Sequence, residues 1–116
     1  MLEDKAKELG RLVGQSTEYQ SVKRANDALT GDREAVGLLE RLERLRTEAQ
    51  RLIERGENPT AEMESELDKL LSNIQERPEY QRAVAAQENF DKLMLRVNNW
   101  ILDGIKRGAA SSIITL

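Results

Sequence analysis

Apolar residues recur three and four positions apart along most of the chain, which is the spacing of amphipathic helices. The longest such segment covers residues 78–107, or roughly 45 Å at ~1.5 Å per residue. Pro78 suits the first turn of a helix and Gly108 suits its end, so the pattern predicts one long helix between them. Three of the four aromatic residues of the chain lie in this segment, namely Tyr80, Phe90 and Trp100.

The first predicted helix covers residues 2–13. Its apolar side consists of Leu2, Ala6, Leu9, Leu12 and Val13. Gly10 weakens this helix by about 1 kcal/mol relative to alanine, so we expect it to depend on a neighbour. That neighbour is either the core of its own chain or another subunit, and the sequence favours neither arrangement.

N-cap residues mark the starts of the next three helices. Ser16 precedes a helix over residues 17–29, Asp32 precedes one that runs to about Arg55, and Thr60 precedes a fourth. The third helix has a regular heptad of Ala35, Leu38, Leu42, Leu45, Ala49 and Leu52. The fourth has a narrow stripe of Met63, Leu67, Leu70, Leu71 and Ile74. Because a short turn joins them, these two helices are predicted to form an antiparallel α-hairpin.

The apolar arc of the long helix is wide enough for more than one neighbour. Its main stripe consists of Tyr80, Ala83, Gln87, Phe90, Met94, Val97, Ile101 and Ile105. A second edge, continued by Ala86 and Gly104, contains Leu93 and Trp100, and the whole arc spans roughly 200° against ~100° for a one-sided helix. We assign the edge through Met94 and Ile101 to the core of the monomer, and the edge through Leu93 and Trp100 to a partner chain.

Candidate protein-contact residues follow from this arc. They are Tyr80, Gln87, Phe90, Leu93, Met94, Val97, Trp100 and Ile101. Gln87 lies within the main stripe, where a buried amide can fix the register of a helix pair at some cost in stability. We hypothesise that Gln87 specifies pairing. The tail over residues 108–116 either frays or docks on a groove. The apolar residues at its C-terminal end, Ile113, Ile114 and Leu116, favour docking.

Composition narrows the possible chemistry. The chain contains neither cysteine nor histidine, so disulfides, thiolate metal sites and the commonest general base are absent. No glycine-rich phosphate loop or serine nucleophile turn occurs. We therefore expect no catalytic residue, no cofactor and no metal site.

Charge and hydropathy narrow the possible partners. The net charge is −3, and acidic and basic residues alternate along the third helix, so direct binding of nucleic acid is not expected. No apolar run approaches the ~20 residues of a membrane span, and no secretory signal is found. We expect a cytoplasmic protein that does not enter the membrane.

Several short motifs follow one another in a particular order. They are Glu8-Leu9-Gly10; Ser16-Thr17-Glu18-Tyr19 with Ala25 and Leu29; Asp32 before Ala35 and Leu38-Leu39; Asn58-Pro59-Thr60; Pro78 with Tyr80; and Phe90 through Leu93 with Val97-Asn98 and Ile101. In their order and spacing, over nearly its full length, the chain resembles the YlbF/YmcA family of small bacterial helical proteins.

The resemblance implies an all-helical fold that forms dimers or larger assemblies and has no active site. Family members act as adaptors in complexes that promote competence, sporulation and biofilm formation. They are also linked to messenger-RNA processing through the membrane-anchored endonuclease RNase Y. Some hold iron–sulfur clusters through cysteines. Because this chain has no cysteine, the resemblance does not imply an iron–sulfur cluster here. The missing cysteines also make the YheA-like branch of the family a suitable comparison for this chain.

The sequence therefore predicts one all-α domain over residues 1–116. Its architecture is an elongated helical bundle with an α-hairpin and a long C-terminal helix, and it is expected to be oligomeric. The leading hypothesis for its function is a non-enzymatic regulatory adaptor. Its partners would be further copies of itself and other regulatory proteins of the same family complex. The alternatives are a structural helical oligomer without a regulatory role and, third, a nucleic-acid-binding helical module.

Overall fold

The computed structural model describes residues 1–115, with side chains through Ala110, and this part of the chain forms five helices and no strand. The helices are α1 (Leu2–Gly14), α2 (Thr17–Thr30), α3 (Arg33–Glu54), α4 (Ala61–Gln75) and α5 (Pro78–Thr115). The molecule measures 67 × 37 × 20 Å along its principal axes. The predicted all-α, elongated architecture is confirmed.

The predicted N-caps set the starts of α2, α3 and α4. The Ser16 side chain accepts a hydrogen bond from the Tyr19 backbone N–H (3.1 Å), and Thr60 does the same for Met63 (3.2 Å). The Asp32 side chain accepts hydrogen bonds from the backbone N–H groups of Glu34 (3.1 Å) and Ala35 (3.3 Å). These oxygens satisfy backbone donors that have no partner within the helix.

The predicted end of α5 is wrong. We expected the helix to finish at Arg107 because Gly108 follows, but it continues to Thr115. A single glycine inside a helix costs only about 1 kcal/mol, and the two alanines after it favour helix. The docking expected for Ile113, Ile114 and Leu116 lies outside the described side chains.

The helices pack as two pairs. α2 lies along α5 and α3 lies along α4, whereas contacts between the two pairs are few. Leu42 of α3 and the α4 residues Leu70 and Ile74 are buried, as expected for the predicted α-hairpin. α1 packs against the rest of the chain mainly at its junction with α2.

The core of the single chain is small. The buried hydrophobic residues among the described side chains are Val22, Ala35, Leu42, Leu70, Ile74, Ala86 and Val97. The radius of gyration is 21.3 Å, whereas a compact chain of this length is expected to have one of about 13 Å. Two helical pairs joined at their ends thus leave much of each helix facing solvent.

Candidate protein-contact surface on α5

The inner edge of α5, made of Ala86, Phe90, Leu93 and Val97, is the side that the rest of the chain covers best. Ala86 and Val97 are buried, and Phe90 and Leu93 are half-buried. The spacing of these four residues by four, three and four places them on one face of the helix. This edge therefore holds α5 in the fold of the monomer.

Two contacts fix the register of α2 on α5. The rings of Tyr19 and Phe90 lie 5.6 Å apart between centroids and are tilted by 59°, a geometry that favours the edge of one ring against the face of the other. Near the start of α2, Arg96 Nη2 donates to Glu18 Oε2 at 3.4 Å. The pKa of Glu18 is lowered, first by the hydrogen bond from the Thr17 hydroxyl and to a smaller degree by Arg96.

The register explains why one assignment from the sequence is wrong. We placed Met94 and Ile101 on the core edge and Leu93 on the partner edge, but Leu93 lies on the inner edge and Ile101 is 43% exposed. Met94 is half-buried. Because α2 begins at Thr17, close to Arg96, it does not extend along the part of α5 that carries Ile101.

The distal segment of α5, residues 98–110, has no neighbour that covers it in the single chain. Every residue in it is exposed. Its large apolar side chains are Trp100 (60% exposed), Ile101, Leu102 and Ile105. Several large apolar side chains exposed together on one helix are typical of a protein-interaction surface.

The remaining candidate residues are divided between the interior and the surface. Tyr80 is half-buried near the start of α5. Gln87 is exposed in the single chain, and its Nε2 donates to Asp91 Oδ1 of the same helix at 3.0 Å. Of the eight sequence candidates, only Gln87, Trp100 and Ile101 are exposed in one chain and thus open to a partner.

An ion-pair cluster at the junction between the two helical pairs was missed by the sequence analysis. Arg77 Nη2 donates to Asp32 Oδ2 at 2.8 Å and to Glu34 Oε2 at 3.4 Å. The hydrogen bond from Arg77 holds the pKa of Asp32 below its ordinary value, and the same bond raises the pKa of Arg77. No local pattern reveals this cluster, because Asp32 and Arg77 are 45 positions apart.

The described residues offer no converging set of groups that suits catalysis or metal binding. No group of three or more carboxylates in this part of the chain could hold a metal ion. A shallow surface groove follows α3 and is lined by Glu40, Glu43, Arg44, Thr47, Glu48 and Arg51. Its charges of both signs come from a single helix and match a solvated surface. No helix among the described residues is long and apolar enough to cross a membrane.

Comparison with known proteins gives one clear match. A protein-family model described as "Control of competence regulator ComK, YlbF/YmcA" matches residues 2–106. A search of curated proteins finds no significant match to this sequence. The matched range includes α1 to α4 and most of α5, up to and including Lys106 of the distal segment.

Proposed function

The chain belongs to the YlbF/YmcA family, and from this membership together with the open surface of α5 we propose that it is a regulatory adaptor. It works through helix-mediated protein–protein contacts and has no catalytic role. Its partners are further copies of itself and other regulatory proteins of the same complex, and it acts in the cytoplasm. The family is named for control of a competence regulator.

The observation that carries the proposal is the amount of surface that one chain leaves uncovered. A compact protein of 13.2 kDa is expected to expose about 6,400 Å², whereas this chain exposes 9169 Å². The excess of ~2,800 Å² is comparable to the area that obligate complexes bury. Large apolar residues of the distal segment contribute to it, which supports a surface built for protein contacts.

The processes in which we propose that it acts are those that the family resemblance implies. They are competence, sporulation, biofilm formation and messenger-RNA processing that depends on RNase Y. No iron–sulfur cluster is part of the proposal, because the chain has no cysteine to hold one.

Gln87 is the proposed specificity residue of this surface. Its amide lies at the border between the inner edge and the open side of α5, and its hydrogen bond to Asp91 is exposed. A partner helix that covered this position would have to satisfy the amide, so partners able to do so would be favoured.

Affinity purification from the native cell tests the adaptor proposal. The wild-type chain is expected to recover other regulatory proteins, and Trp100→Ala is expected to reduce that recovery. Leu95→Ala is the matched control, because Leu95 is equally exposed but lies about 140° around the helix from Trp100. Recovery of the protein alone would instead support the structural oligomer.

The nucleic-acid alternative requires a separate assay. Under the adaptor proposal, binding of a single-stranded or duplex RNA at moderate salt is expected to be weak. Tight binding that falls steeply with salt concentration would contradict it, because such a salt dependence reports the release of phosphate counterions.

A further inference from the structure

We propose that α1 of one copy docks on the distal segment of α5 of a second copy, so that two chains exchange their N-terminal helices. The proposal rests on the proposed function in one respect, namely that the distal segment serves protein contacts. It adds the identity of the occupant, which is a second copy of this chain.

The first observation is that much of the apolar side of α1 is left uncovered, with only Leu9 and Val13 half-buried. No residue of α1 is buried, and Leu2 and Leu12 are 86% and 54% exposed. α1 has 13 residues and is about 20 Å long. A short helix of this kind is stable in water only when its apolar side packs on another element.

The second observation is a groove of matching length on α5. Gly104 and Gly108 lie one turn apart on one face of the distal segment, with Trp100 on one side and Ile101 and Ile105 on the other. A Cβ added at either glycine would meet nothing within 4 Å. The distal segment, residues 98–110, is also about 20 Å long.

The glycines themselves need an explanation that the single chain does not supply. Glycine destabilises the interior of a helix relative to alanine, and none of the described side chains occupies the space left at these glycines. Small residues at a spacing of four allow a second helix to approach closely. Gly10, which is also inside a helix and faces open space, gives α1 the same property.

The junction between α1 and α2 explains why the occupant is a second copy. Ser16 Oγ donates to the Val13 carbonyl oxygen at 2.6 Å, and Gln20 Nε2 donates to that of Gly14 at 3.0 Å. Backbone bonds from Gln15 and Ser16 back to α1 complete the turn. The Gln20 bond ties the end of α1 to α2, and in this arrangement the distal segment of the same chain stays exposed, so a second copy is the chain whose α1 can cover it.

The exposed area of each chain is consistent with a symmetric exchange. In a two-fold dimer the same contact occurs twice, with each chain giving one α1 and receiving the other. The two apolar surfaces left open in the single chain are thereby covered together. The excess exposed surface of each chain exceeds what a stable dimer of standard size needs.

A glycine substitution separates docking from simple helix stability. Gly104→Ala is expected to leave the free energy of unfolding of the monomer unchanged or higher, but to weaken the dimer by about tenfold or more because the added methyl group overpacks the contact. The control is Gly37→Ala, which also fills open space inside a helix, here α3, and is expected to leave the dimer unchanged. If Gly104→Ala left the dimer unchanged as well, the proposal would be wrong.

Mixing two variants separates exchange between copies from docking within one chain. Leu9→Glu places a charge on the apolar side of α1, and Gly104→Leu fills the groove on the distal segment of α5. Each variant alone is therefore expected to be monomeric at micromolar concentration. An equal mixture restores one intact contact and is expected to recover a dimer in sedimentation velocity. No recovery on mixing would show that α1 does not dock on a second copy.

Failure of the exchange and failure of the adaptor proposal give different results. If the variants stay dimeric, or the wild-type chain is monomeric, while partner proteins are still recovered from the cell, then the exchange is wrong and the adaptor stands. If the mixture recovers the dimer but no partner protein is recovered from the cell, then the exchange stands and the adaptor proposal is wrong.

Discussion

Replacement of Trp100 by alanine is the perturbation whose effect can best be worked out from the structure. A tryptophan side chain buries up to ~250 Å², and 60% of Trp100 remains exposed in the single chain. About 150 Å² is thus open to a partner, which at ~25 cal/mol per Å² corresponds to about 4 kcal/mol if it is fully covered. That figure is an upper bound, since partial coverage is the rule at interfaces.

If half of that area is covered, each Trp100 contributes about 2 kcal/mol to association, or about 30-fold in Kd. A symmetric dimer contains two such residues, so Trp100→Ala is expected to weaken it by up to about a thousandfold. The free energy of unfolding of the monomer should change by only about 0.5 kcal/mol, because the side chain is mostly exposed there.

Sedimentation equilibrium over a dilution series measures this effect. The wild-type protein adds a second readout, because Trp100 is its only tryptophan and its emission should shift to the red as the dimer dissociates. Leu95→Ala serves as the control on another face of α5 and should leave Kd unchanged. Equal Kd values for the wild-type protein and Trp100→Ala would refute the assignment of the distal segment as an interface.

Three further predictions concern the cap, the junction and the specificity residue. Ser16→Ala removes the acceptor for the Tyr19 N–H and should lower the free energy of unfolding by about 1 kcal/mol in urea denaturation. Because Arg77 lowers the pKa of Asp32 below 3.8, this carboxylate stabilises the fold fully above that pH and loses its effect as pH falls through the lower folded value. Asp32→Asn, which keeps the cap acceptor, should therefore be less stable than the wild type at neutral pH but not in strong acid, and an equal difference at both would contradict the ion pair. Gln87→Leu should change the oligomeric state or the cooperativity of unfolding, and no change in either would refute its role in pairing.

The parts of the fold that depend on local interactions could be predicted from the sequence. Ser16, Asp32 and Thr60 act within three residues of themselves, so their N-cap roles follow from residue type and position alone. The α3–α4 hairpin follows from two apolar stripes and the short turn between them. Gly56 after α3 adopts a positive φ of 79°, a conformation that glycine adopts without strain.

The parts that depend on distant residues could not be predicted. Which edge of α5 is covered depends on where α2 begins along it, and that register is set by the contacts of Tyr19 and Glu18 with α5. The periodicity of α5 gives the same apolar arc for any position of α2. Ile101 was therefore assigned to the core although it lies beyond the covered part of the helix.

The exposure of the candidate residues in the single chain could be anticipated only in part, because it too depends on the position of α2. The width of the apolar arc indicated more than one neighbour, and the structure leaves Trp100 and Ile101 open on the distal segment. Leu93 was placed on the wrong side, since only the packed structure shows that the inner edge passes through it. The importance of Gly104 and Gly108 likewise emerges only when the space around them is known.

The solution mass of the wild-type protein, measured by light scattering over a dilution series, tests most directly whether the exposed surface of α5 is covered by another chain. A mass of at least twice the 13.2 kDa of the chain at micromolar concentration is predicted, with dissociation on dilution. A well-folded species of 13.2 kDa at every concentration would contradict it.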